Sequence, residues 1–389
     1  MTVRIGHFLY HYPEVGGTSS AVYGLSKALS ALGHDVTLYC CGQQDRRSEW
    51  VTRTPENLHI VRCSPERRYP FHIPQEMLAR LSHNADQIHL LVVHGIFSPW
   101  NFAVARTARR AKIPYVVSPH GLYHPALLGK HRWQKALYSR LFEKPLLHGA
   151  SAVQVFDNYH IGFLSAFGFR GRIITVPNGF EPGDIPVPDG QGASLGSTGL
   201  TQLLYLGRMD MHTKGLDLLF EALAAPALRP FLSTIRINLV GPDSLDRQAL
   251  MRIADRLGVS QSVSYLGAVE AKRRWETIAA CDLVVLPSRH DAFPTVALEA
   301  MAAGKPILIS TETGITSWVR RGRCGFVVAP DHKSIAEGLA AALAEKHCWS
   351  EMGRAGRDLV LEHLTWTSVA RTAIDAYRDV IQQASKPGG

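Results

Sequence analysis

The chain has 389 residues, of which 46% are hydrophobic and 19% charged, and this length predicts two domains of a soluble globular protein. No stretch approaches about eighteen uninterrupted apolar residues, and the chain begins with a strand pattern, so the sequence predicts neither a membrane span nor a signal peptide. The six cysteines lack the spacing of metal sites, which fits a protein of the reducing cytoplasm.

The net charge of +9 is unevenly distributed along the chain. Residues 1–180 contain 20 Lys and Arg against 10 Asp and Glu, whereas residues 181–389 contain 22 and 23. This asymmetry indicates an anionic surface or an acidic partner for the first half, although a solvated basic face would give the same counts. No zinc finger, helix-turn-helix or RNP-like string accompanies the basic residues, so we expect no nucleic-acid partner.

The first half alternates predicted strands and helices. A strand at 3–10 is followed by a loop with Gly16 and Gly17 and by an amphipathic helix at 19–32. Glycines between a strand and a helix let a ligand approach the backbone closely, but most glycine pairs only form turns. Further strands are predicted at residues 36–41, 58–63, 88–93, 115–118, 152–156 and 173–176.

Two histidines stand at the carboxyl ends of buried strands. His94 follows the strand at 88–93, and His120, within the string SPHGLY, follows the strand at 115–118. Ligands of parallel sheets bind at such strand ends. A lone histidine there is more often a packed residue than a ligand contact, so the residues alone leave both roles open.

Residues 130–148 form a basic amphipathic stretch. Its apolar residues can share one face of a helix, with lysines and arginines around them: Trp133, Ala136, Leu137, Leu141 and Phe142. Such a stretch can lie on an anionic membrane surface. It can equally be a domain helix that packs on the sheet.

The second half begins after the string VPNGF at 176–180, where the Pro/Gly/Ser-rich residues 181–199 predict a linker. The next strand, at 203–206, is followed by GRMDMHTKG, in which Arg208 and Lys214 flank a turn. We expect Lys214 to open the following helix. Two cations beside a helix N-terminus suit a diphosphate, although such a pair is also common in surface loops.

Residues 281–310 predict a strand, a loop, a helix and a second strand, which is the crossover unit of a parallel sheet. The helix, at about 294–303, follows Asp291 and contains Glu299 about two turns further on. Backbone N–H groups at a helix start bind anions and carboxylates bind hydroxyls, so the unit suits a phosphorylated sugar or a nucleotide. The other elements are predicted at 235–240, 245–257, 263–266, 270–280, 325–328, 333–344, 348–362 and 366–384.

The order of these motifs is more specific than any one of them. A glycine pair after the first strand, HG after a middle strand, PNG before a linker, GR and KG at the opening of the second domain, and then two acids together resemble the family-4 retaining glycosyltransferases. The resemblance covers nearly the whole chain. It implies an α/β GT-B fold, in which two Rossmann-like, doubly wound parallel-sheet domains face a central cleft.

The resemblance also implies a division of labour between the domains. Residues 1–180 would form an acceptor-binding domain, which is completed by a last helix, within 366–389, that crosses back to it. Residues 181–199 would be the linker, and residues 200–365 would bind the nucleotide-sugar.

Each motif residue has an implied role. Arg208 and Lys214 match the basic pair that holds the donor diphosphate, and Glu299 matches the acid that binds the ribose hydroxyls. Asp291 matches the acid near the donor sugar, and His120 matches the histidine beside the transferred sugar. His120, Arg208, Lys214 and Asp291 are the implied catalytic residues. Further donor contacts are implied at Gly16, Gly17, Phe293, Pro294, Thr295 and Val296.

Asp291 departs from the family pattern, in which this acid is commonly Glu. Asp is one methylene shorter, so its reach to the sugar hydroxyls falls by roughly 1.5 Å. The difference bears on which sugar is transferred and not on the general reaction. Pro294 stands where Gly is more usual, but this form also occurs among relatives.

We therefore expect retaining transfer of a sugar from a UDP- or GDP-sugar to a hydroxyl acceptor, namely a glycan or lipid-linked glycan of polysaccharide or glycolipid synthesis. No Asp-x-Asp triplet occurs, so we expect Arg208 and Lys214 to replace a metal and no cofactor to be needed. The alternatives are an epimerase or phosphorylase of the same fold and a non-catalytic nucleotide-sugar-binding protein. The basic first half suggests a cytoplasmic protein that lies peripherally on the inner face of the plasma membrane.

Overall fold

The computed structural model describes residues 2–11, 17–41, 55–63, 75–121, 123–125, 132–185 and 199–386. The chain divides into two units. The first contains Met1–Gly179 and Trp366–Gly389, and the second contains Phe180–Thr365. Gly16 and residues 130–131, which were singled out in the sequence, lie outside the described residues.

The first unit contains a seven-stranded parallel sheet in the order β3-β2-β1-β4-β5-β6-β7. Strand β4 is buried at all five positions, as expected for a parallel strand that is covered on both faces. The strands are β1 (Arg4–His11), β2 (Asp35–Cys41), β3 (Leu58–Cys63), β4 (Leu90–His94), β5 (Tyr115–Ser118), β6 (Ala152–Val155) and β7 (Ile173–Thr175). The helices are α1 (Gly17–Ala31), α2 (Gln75–His83), α3 (Pro99–Arg110), α4 (Arg132–Tyr138), α5 (Lys144–His148) and α6 (Tyr159–Phe167), and a π-helical segment (Ser139–Glu143) connects α4 to α5.

The second unit contains a six-stranded parallel sheet in the order β10-β9-β8-β11-β12-β13. Its strands are β8 (Thr201–Leu206), β9 (Ile235–Val240), β10 (Val263–Gly267), β11 (Leu283–Leu286), β12 (Ile307–Ser310) and β13 (Gly325–Val328). Its helices are α7 (Met211–Lys214), α8 (Leu216–Leu223), α9 (Leu245–Arg256), α10 (Ala271–Ala279), α11 (Thr295–Ala302), α12 (Thr316–Gly322), α13 (His332–Ala344) and α14 (Trp349–His363).

The last helix, α15 (Trp366–Ala384), packs on the first unit, as the fold prediction required. Its buried residues recur every three or four positions, which is the period of an amphipathic helix: Val369, Ala370, Ala373, Ile374, Tyr377 and Val380. The hydroxyl of Tyr377 donates a hydrogen bond to Oε1 of Gln154 at 2.7 Å. The indole of Trp366 lies against Gly24 of α1, where a Cβ atom would overlap it. The helix is therefore part of the first unit's core.

Both sheets reverse their strand order at one point, between β1 and β4 and between β8 and β11. These switch points, at the carboxyl ends of the strands, are where doubly wound sheets bind ligands. The loops after β8 and β11 contain Arg208, Lys214 and Asp291, whereas His94 ends β4 and His120 follows β5. The two Rossmann-like sheets confirm the predicted α/β fold class.

The predicted strands agree with the structure to within about two residues at each end. One helix prediction was wrong, because Lys214 ends the short helix α7 instead of opening α8. Asp210 caps the start of α7, and Gly215 ends it in the left-handed conformation with φ of 66°. A Cβ atom on Gly215 would overlap the carbonyl oxygen of Pro287, so the turn needs a glycine there. Helices α2, α3, α6 and α12 were not predicted from the sequence.

Candidate functional site

The structure brings Lys214 and Asp291 into contact at the switch point of the second sheet. Nζ of Lys214 lies 2.5 Å from Oδ2 of Asp291, and both side chains are half-buried. Lys214 ends α7, which follows β8, and Asp291 lies in the loop between β11 and α11. Residues that are 77 positions apart thus form one ion pair where a diphosphate and a sugar were predicted to bind.

The loop before Lys214 is ordered by its own hydrogen bonds. Oδ1 of Asp210 accepts from the backbone N–H groups of His212 at 2.9 Å and Thr213 at 3.2 Å, and Oδ2 accepts from the Thr213 hydroxyl at 2.8 Å. Burial would raise the pKa of Asp210, but these hydrogen bonds and the charge of Arg208 lower it below its usual value. The ionised cap fixes the single turn of α7 and with it the position of Lys214.

Arg208 lies beside the same group of charges. The hydroxyl of Tyr205 donates to the carbonyl oxygen of Arg208 at 2.6 Å. Burial and the charges of Asp291 and Asp210 raise the pKa of Tyr205, and the charge of Arg208 opposes them. The charges of Arg208, Asp210 and Asp291 therefore all act on one hydroxyl group. Within the described ranges, the exposed guanidinium of Arg208 forms no ion pair, which leaves it available to an anion.

The loop that positions Asp291 is held from two sides. The backbone N–H of Asp291 donates to the carbonyl of Glu312 at 3.0 Å, and its carbonyl accepts from the N–H of Gly314 at 3.0 Å. Arg289, two residues earlier, binds both carboxylate oxygens of Asp217 at 2.7 Å and the carbonyl of Met211 at 2.8 Å. This bidentate pair, which the sequence reasoning missed, ties the loop to α7 and α8.

Glu299 has a partner that the sequence did not indicate. Its carboxylate lies 2.7 Å from Nε of Arg274 on the neighbouring helix α10, and both side chains are half-buried. A carboxylate has several acceptor sites, so it can bind an arginine and ribose hydroxyls at once. Arg274 thereby places a cation against the carboxylate of Glu299. The only sequence signal for it was a basic residue on a helix next to the one that contains Glu299.

The start of α11 contains the remaining residues of this unit that were predicted to contact the donor. Phe293 is buried, Pro294 is the N-cap, and Thr295 and Val296 form the first turn. The first N–H groups of a helix have no partner within the helix, so this turn presents donors beside Asp291. The structure therefore places these residues together with Lys214, Asp291 and the loop of Arg208 at one edge of the second sheet, where strands β8 and β11 end.

Gly17 and His120 belong to the first unit. Gly17 is the first residue of α1, and a Cβ atom built there would meet no described atom within 4 Å. His120 is buried, with a φ of 52° that turns its ring from the end of β5 back toward His94. Nδ1 of His94 and Nε2 of His120 are 2.9 Å apart. Burial lowers the pKa of His120 to about 4, so the ring is neutral at physiological pH.

No group of three or more His, Cys, Asp and Glu side chains in the described part of the chain is placed to hold a metal ion. None of the described helices has the length and apolar character needed to cross a membrane.

Two doubly wound parallel sheets, the second with charged side chains at its switch point, define an α/β protein of the Rossmann-like class. Comparison with known families makes this specific, because residues 16–179 match the family described as "Glycosyl transferase 4-like domain" and residues 201–345 match "Glycosyl transferases group 1". The chain thus belongs to the group 1, family-4 glycosyltransferases of GT-B fold. It is a glycosyltransferase.

Individual relatives agree with this assignment. An uncharacterized glycosyltransferase of Methanocaldococcus jannaschii is 23% identical over 407 residues, which cover 99% of this chain and 100% of the relative. Sucrose-phosphate synthase from Thermosynechococcus elongatus has a TM-score of 0.76 at 20% identity, with 98% of this chain and 100% of that chain covered. Anabaena HepE, solved in complex with UDP and glucose, has a TM-score of 0.73 at 17% identity, with 97% and 100% covered. At these identities the two solved structures establish the fold.

Proposed function

We propose that the protein transfers a sugar from a UDP- or GDP-sugar to a hydroxyl group of a glycan or lipid-linked glycan, with retention of the anomeric configuration. The observation behind this proposal is the contact between Lys214 and Asp291 beside the guanidinium of Arg208, at the switch point of the second sheet. Cations there suit a diphosphate, and a carboxylate suits sugar hydroxyls. The Anabaena neighbour, which was solved with UDP and glucose, supports a nucleotide-sugar as partner.

The chemistry needs charge stabilisation more than a protein nucleophile. As the bond to the sugar breaks, negative charge develops on the leaving nucleoside diphosphate, and Arg208 and Lys214 would stabilise it. Asp291 would accept hydrogen bonds from the donor sugar, and Glu299 from the ribose. The donor phosphate itself would take the proton of the acceptor hydroxyl, and the sugar would leave and reattach on the same face.

Gly16 and Gly17, the first turn of α11 and His120 would complete the binding of the donor and its sugar. The two cations provide the charge that a divalent metal provides in other transferases, so we propose that the reaction needs no metal or other cofactor. Activity that is lost with EDTA and restored by Mg²⁺ would contradict this part of the proposal.

The first experiment is to screen UDP, GDP and ADP for thermal stabilisation, because a ligand that binds only the folded protein stabilises it by about 2.7 kcal/mol at 100 times its Kd. We expect UDP or GDP, and not ADP, to raise Tm. The matching nucleotide-sugars are then supplied with mixed acceptors, and the anomeric proton of the product is read by NMR. Epimerised donor, phosphorolysis or binding without turnover would each overturn the transferase assignment of this site.

The basic amphipathic segment supports a further part of the proposal, association with an anionic membrane that contains the acceptor. Trp133, Leu137 and Leu141 are 72%, 56% and 53% exposed and recur every four residues on one side of the segment. Arg140 and Lys144 beside them are exposed as well. An apolar stripe flanked by cations binds the headgroup region of anionic bilayers.

We therefore propose that the protein lies peripherally on the cytoplasmic face of a membrane. The test is flotation with neutral and with anionic phospholipid vesicles at low and high salt. Leu137→Glu should abolish binding to anionic vesicles, whereas Leu361→Glu, at another exposed leucine, should not. Absence of salt-sensitive binding by the wild-type protein would remove the membrane from the proposal.

A further inference from the structure

Three buried histidines form a continuous chain of ring contacts in the first unit. Nδ1 of His7 lies 2.9 Å from Nε2 of His94, and Nδ1 of His94 lies 2.9 Å from Nε2 of His120. The three side chains are 0%, 3% and 9% exposed. They come from the adjacent strands β1 and β4 and from the end of β5, so they meet at the switch point of the first sheet.

The backbone around these rings is held firmly. The N–H of Gly95 donates to the carbonyl of Ser118 at 2.9 Å, which ties the end of β4 to the end of β5. The side-chain amide of Asn101 donates to the carbonyls of His94 at 3.0 Å and Gly95 at 2.9 Å. His120 itself has a left-handed backbone, which costs energy in a residue other than glycine and persists where the surroundings impose it. The surrounding hydrogen bonds thus hold His94 and His120 in contact.

Each contact between two neutral imidazoles contains one N–H donor and one bare nitrogen. Burial lowers the pKa of His7 to about 3 and that of His120 to about 4, and burial together with the neighbouring rings lowers the pKa of His94 as well. All three rings are therefore neutral at physiological pH. A neutral ring has its proton on one nitrogen only, so a ring that donates at one contact must accept at the other. A chain of three neutral rings therefore has only two proton arrangements, in which all hydrogen bonds run in one direction or all run in the other.

The His7 end of the chain distinguishes the two arrangements. Nε2 of His7 is buried without a hydrogen-bond partner among the described residues. A buried N–H without an acceptor is rarer and costlier than a nitrogen or oxygen with an unused lone pair. His7 therefore carries its proton on Nδ1 and donates to His94, and His94 donates from Nδ1 to Nε2 of His120.

We propose that His7 and His94 are positioning residues that hold His120 as the neutral tautomer with its proton on Nδ1. Nε2 of His120 is occupied by His94, and no described residue bonds to Nδ1, so the ring keeps one N–H donor for a ligand oxygen. The inference rests on the proposed function, in which His120 lies beside the transferred sugar. A sugar hydroxyl would then accept a hydrogen bond from this N–H, and the tautomer would be set before the donor binds.

The direct test is ¹⁵N NMR of histidine-labelled protein at neutral pH without ligand, because protonated and bare ring nitrogens resonate far apart. The signals of His120 are assigned by their loss in His120→Gln. We expect a proton on Nδ1 and a bare Nε2. A proton on Nε2 of His120 in the wild-type protein overturns the proposal, and this measurement needs no variant at His7 or His94.

Two variants of nearly equal shape test the role in turnover. In His94→Asn the amide N–H stands near the position of Nδ1 and can still donate to His120, whereas the carboxylate in His94→Asp can only accept. The Asn variant should keep the wild-type tautomer and most of its kcat. The Asp variant should move the proton of His120 to Nε2 and lose at least about tenfold in kcat, with the KM for the donor nearly unchanged.

Equal kcat in the two variants would overturn the positioning role. If neither the wild-type protein nor any variant transfers sugar, the proposed function fails, but the tautomer measured by NMR still decides whether the chain of histidines sets the state of His120. The two failures are thereby distinguished.

Discussion

The ammonium group of Lys214 lies 2.5 Å from a carboxylate oxygen of Asp291, and the two side chains are only 19% and 17% exposed. Each of these groups neutralises the other. A diphosphate would compete with Asp291 for Lys214, and a sugar hydroxyl would compete with Lys214 for Asp291. In the proposed function the bound donor therefore breaks the ion pair between Lys214 and Asp291, but its diphosphate pairs with Lys214 and its sugar hydroxyl with Asp291, so each charged group keeps a partner.

Lys214→Met should lower kcat/KM by at least about 100-fold, because it removes a cation that, in the proposed function, stabilises the leaving diphosphate. The measurement is product formation at varied donor concentration. Lys333→Met, at an exposed lysine of α13, is the matched control and should retain activity. A Lys214 variant with wild-type kcat/KM would contradict the assigned role.

Asp291→Glu should change the relative rates with different donor sugars more than it changes the affinity for the nucleotide. The added methylene moves the carboxylate by roughly 1.5 Å. In the proposed function this alters its contact with the sugar and leaves the contacts of Arg208 with the diphosphate unchanged. The comparison needs kcat/KM for a panel of nucleotide-sugars that share one base, with the Kd of the free nucleotide measured in parallel. If Asp291→Glu changes kcat/KM by the same factor for every sugar, this position does not determine sugar specificity.

In the proposed function Glu299 binds the ribose, so Arg274→Met should raise the KM for the donor and change kcat less, because Glu299 loses the cation at 2.7 Å. We expect an increase of about tenfold, the size of one oriented hydrogen bond to a charged group. The adjacent Arg273, whose side chain is exposed, provides the control variant Arg273→Met. Equal KM values for the two variants would show that Arg274 does not orient the acid.

Glu143 should make the protein less stable as pH rises. Burial raises its pKa to about 7 from an ordinary value of 4.5, although the Tyr123 hydroxyl at 2.6 Å and the Phe97 N–H at 3.1 Å favour the charged form. The folded state therefore binds the proton more tightly than the unfolded state. This contribution is fully present below pH 4.5 and is lost as pH rises through 7, a difference on the order of 3 kcal/mol.

Glu143→Gln keeps a neutral side chain at every pH and should remove this dependence, so the variant should be the more stable protein at pH 8. Denaturant unfolding of both proteins at pH 5 and pH 8 gives the comparison. Glu76→Gln, at an exposed glutamate, is the control. If the wild-type protein and Glu143→Gln show the same change between the two pH values, the buried carboxyl is not the cause.

Two glycines of α1 should respond oppositely to alanine. Gly17→Ala should leave stability unchanged or slightly higher, because a Cβ atom there meets no atom of the described residues within 4 Å. It should weaken donor binding if the loop closes over the donor. Gly24→Ala should cost about 1–3 kcal/mol, because the Cβ atom would overlap the indole of Trp366. Thermal unfolding and nucleotide-sugar titration separate the two effects. Normal donor binding by Gly17→Ala would remove Gly17 from the site.

The sequence predicted the parts of the fold and the site that depend on local pattern. Buried strands appear as apolar runs, and strand ends with polar residues locate ligand sites, which is why Lys214 and Asp291 could be expected at one edge. The direct contact between the two side chains could not be predicted, because pairing between residues 77 positions apart depends on how other residues position the two loops. The same applies to Arg274 with Glu299 and to Arg289 with Asp217.

His7 was overlooked for a related reason. A histidine inside an apolar strand usually packs in the core, and nothing in the local sequence indicates that its neighbour on the adjacent strand β4 is another histidine. The one available signal was alternation, since His7 lies on the same face of β1 as Ile5 and would otherwise be expected to be apolar. Helix α7 was mispredicted because its end depends on Gly215, which has a left-handed backbone and lies where the carbonyl of Pro287 leaves no room for a Cβ atom.

Helix α15 has a consequence for the order in which the chain folds during synthesis. The first unit needs Ile374 and Tyr377 in its core, but these residues are synthesised only after the whole of the second unit. The second unit is continuous in sequence, Phe180–Thr365, and can complete its core earlier. The first unit therefore finishes folding after the second. Removal of α15 exposes the core of the first unit.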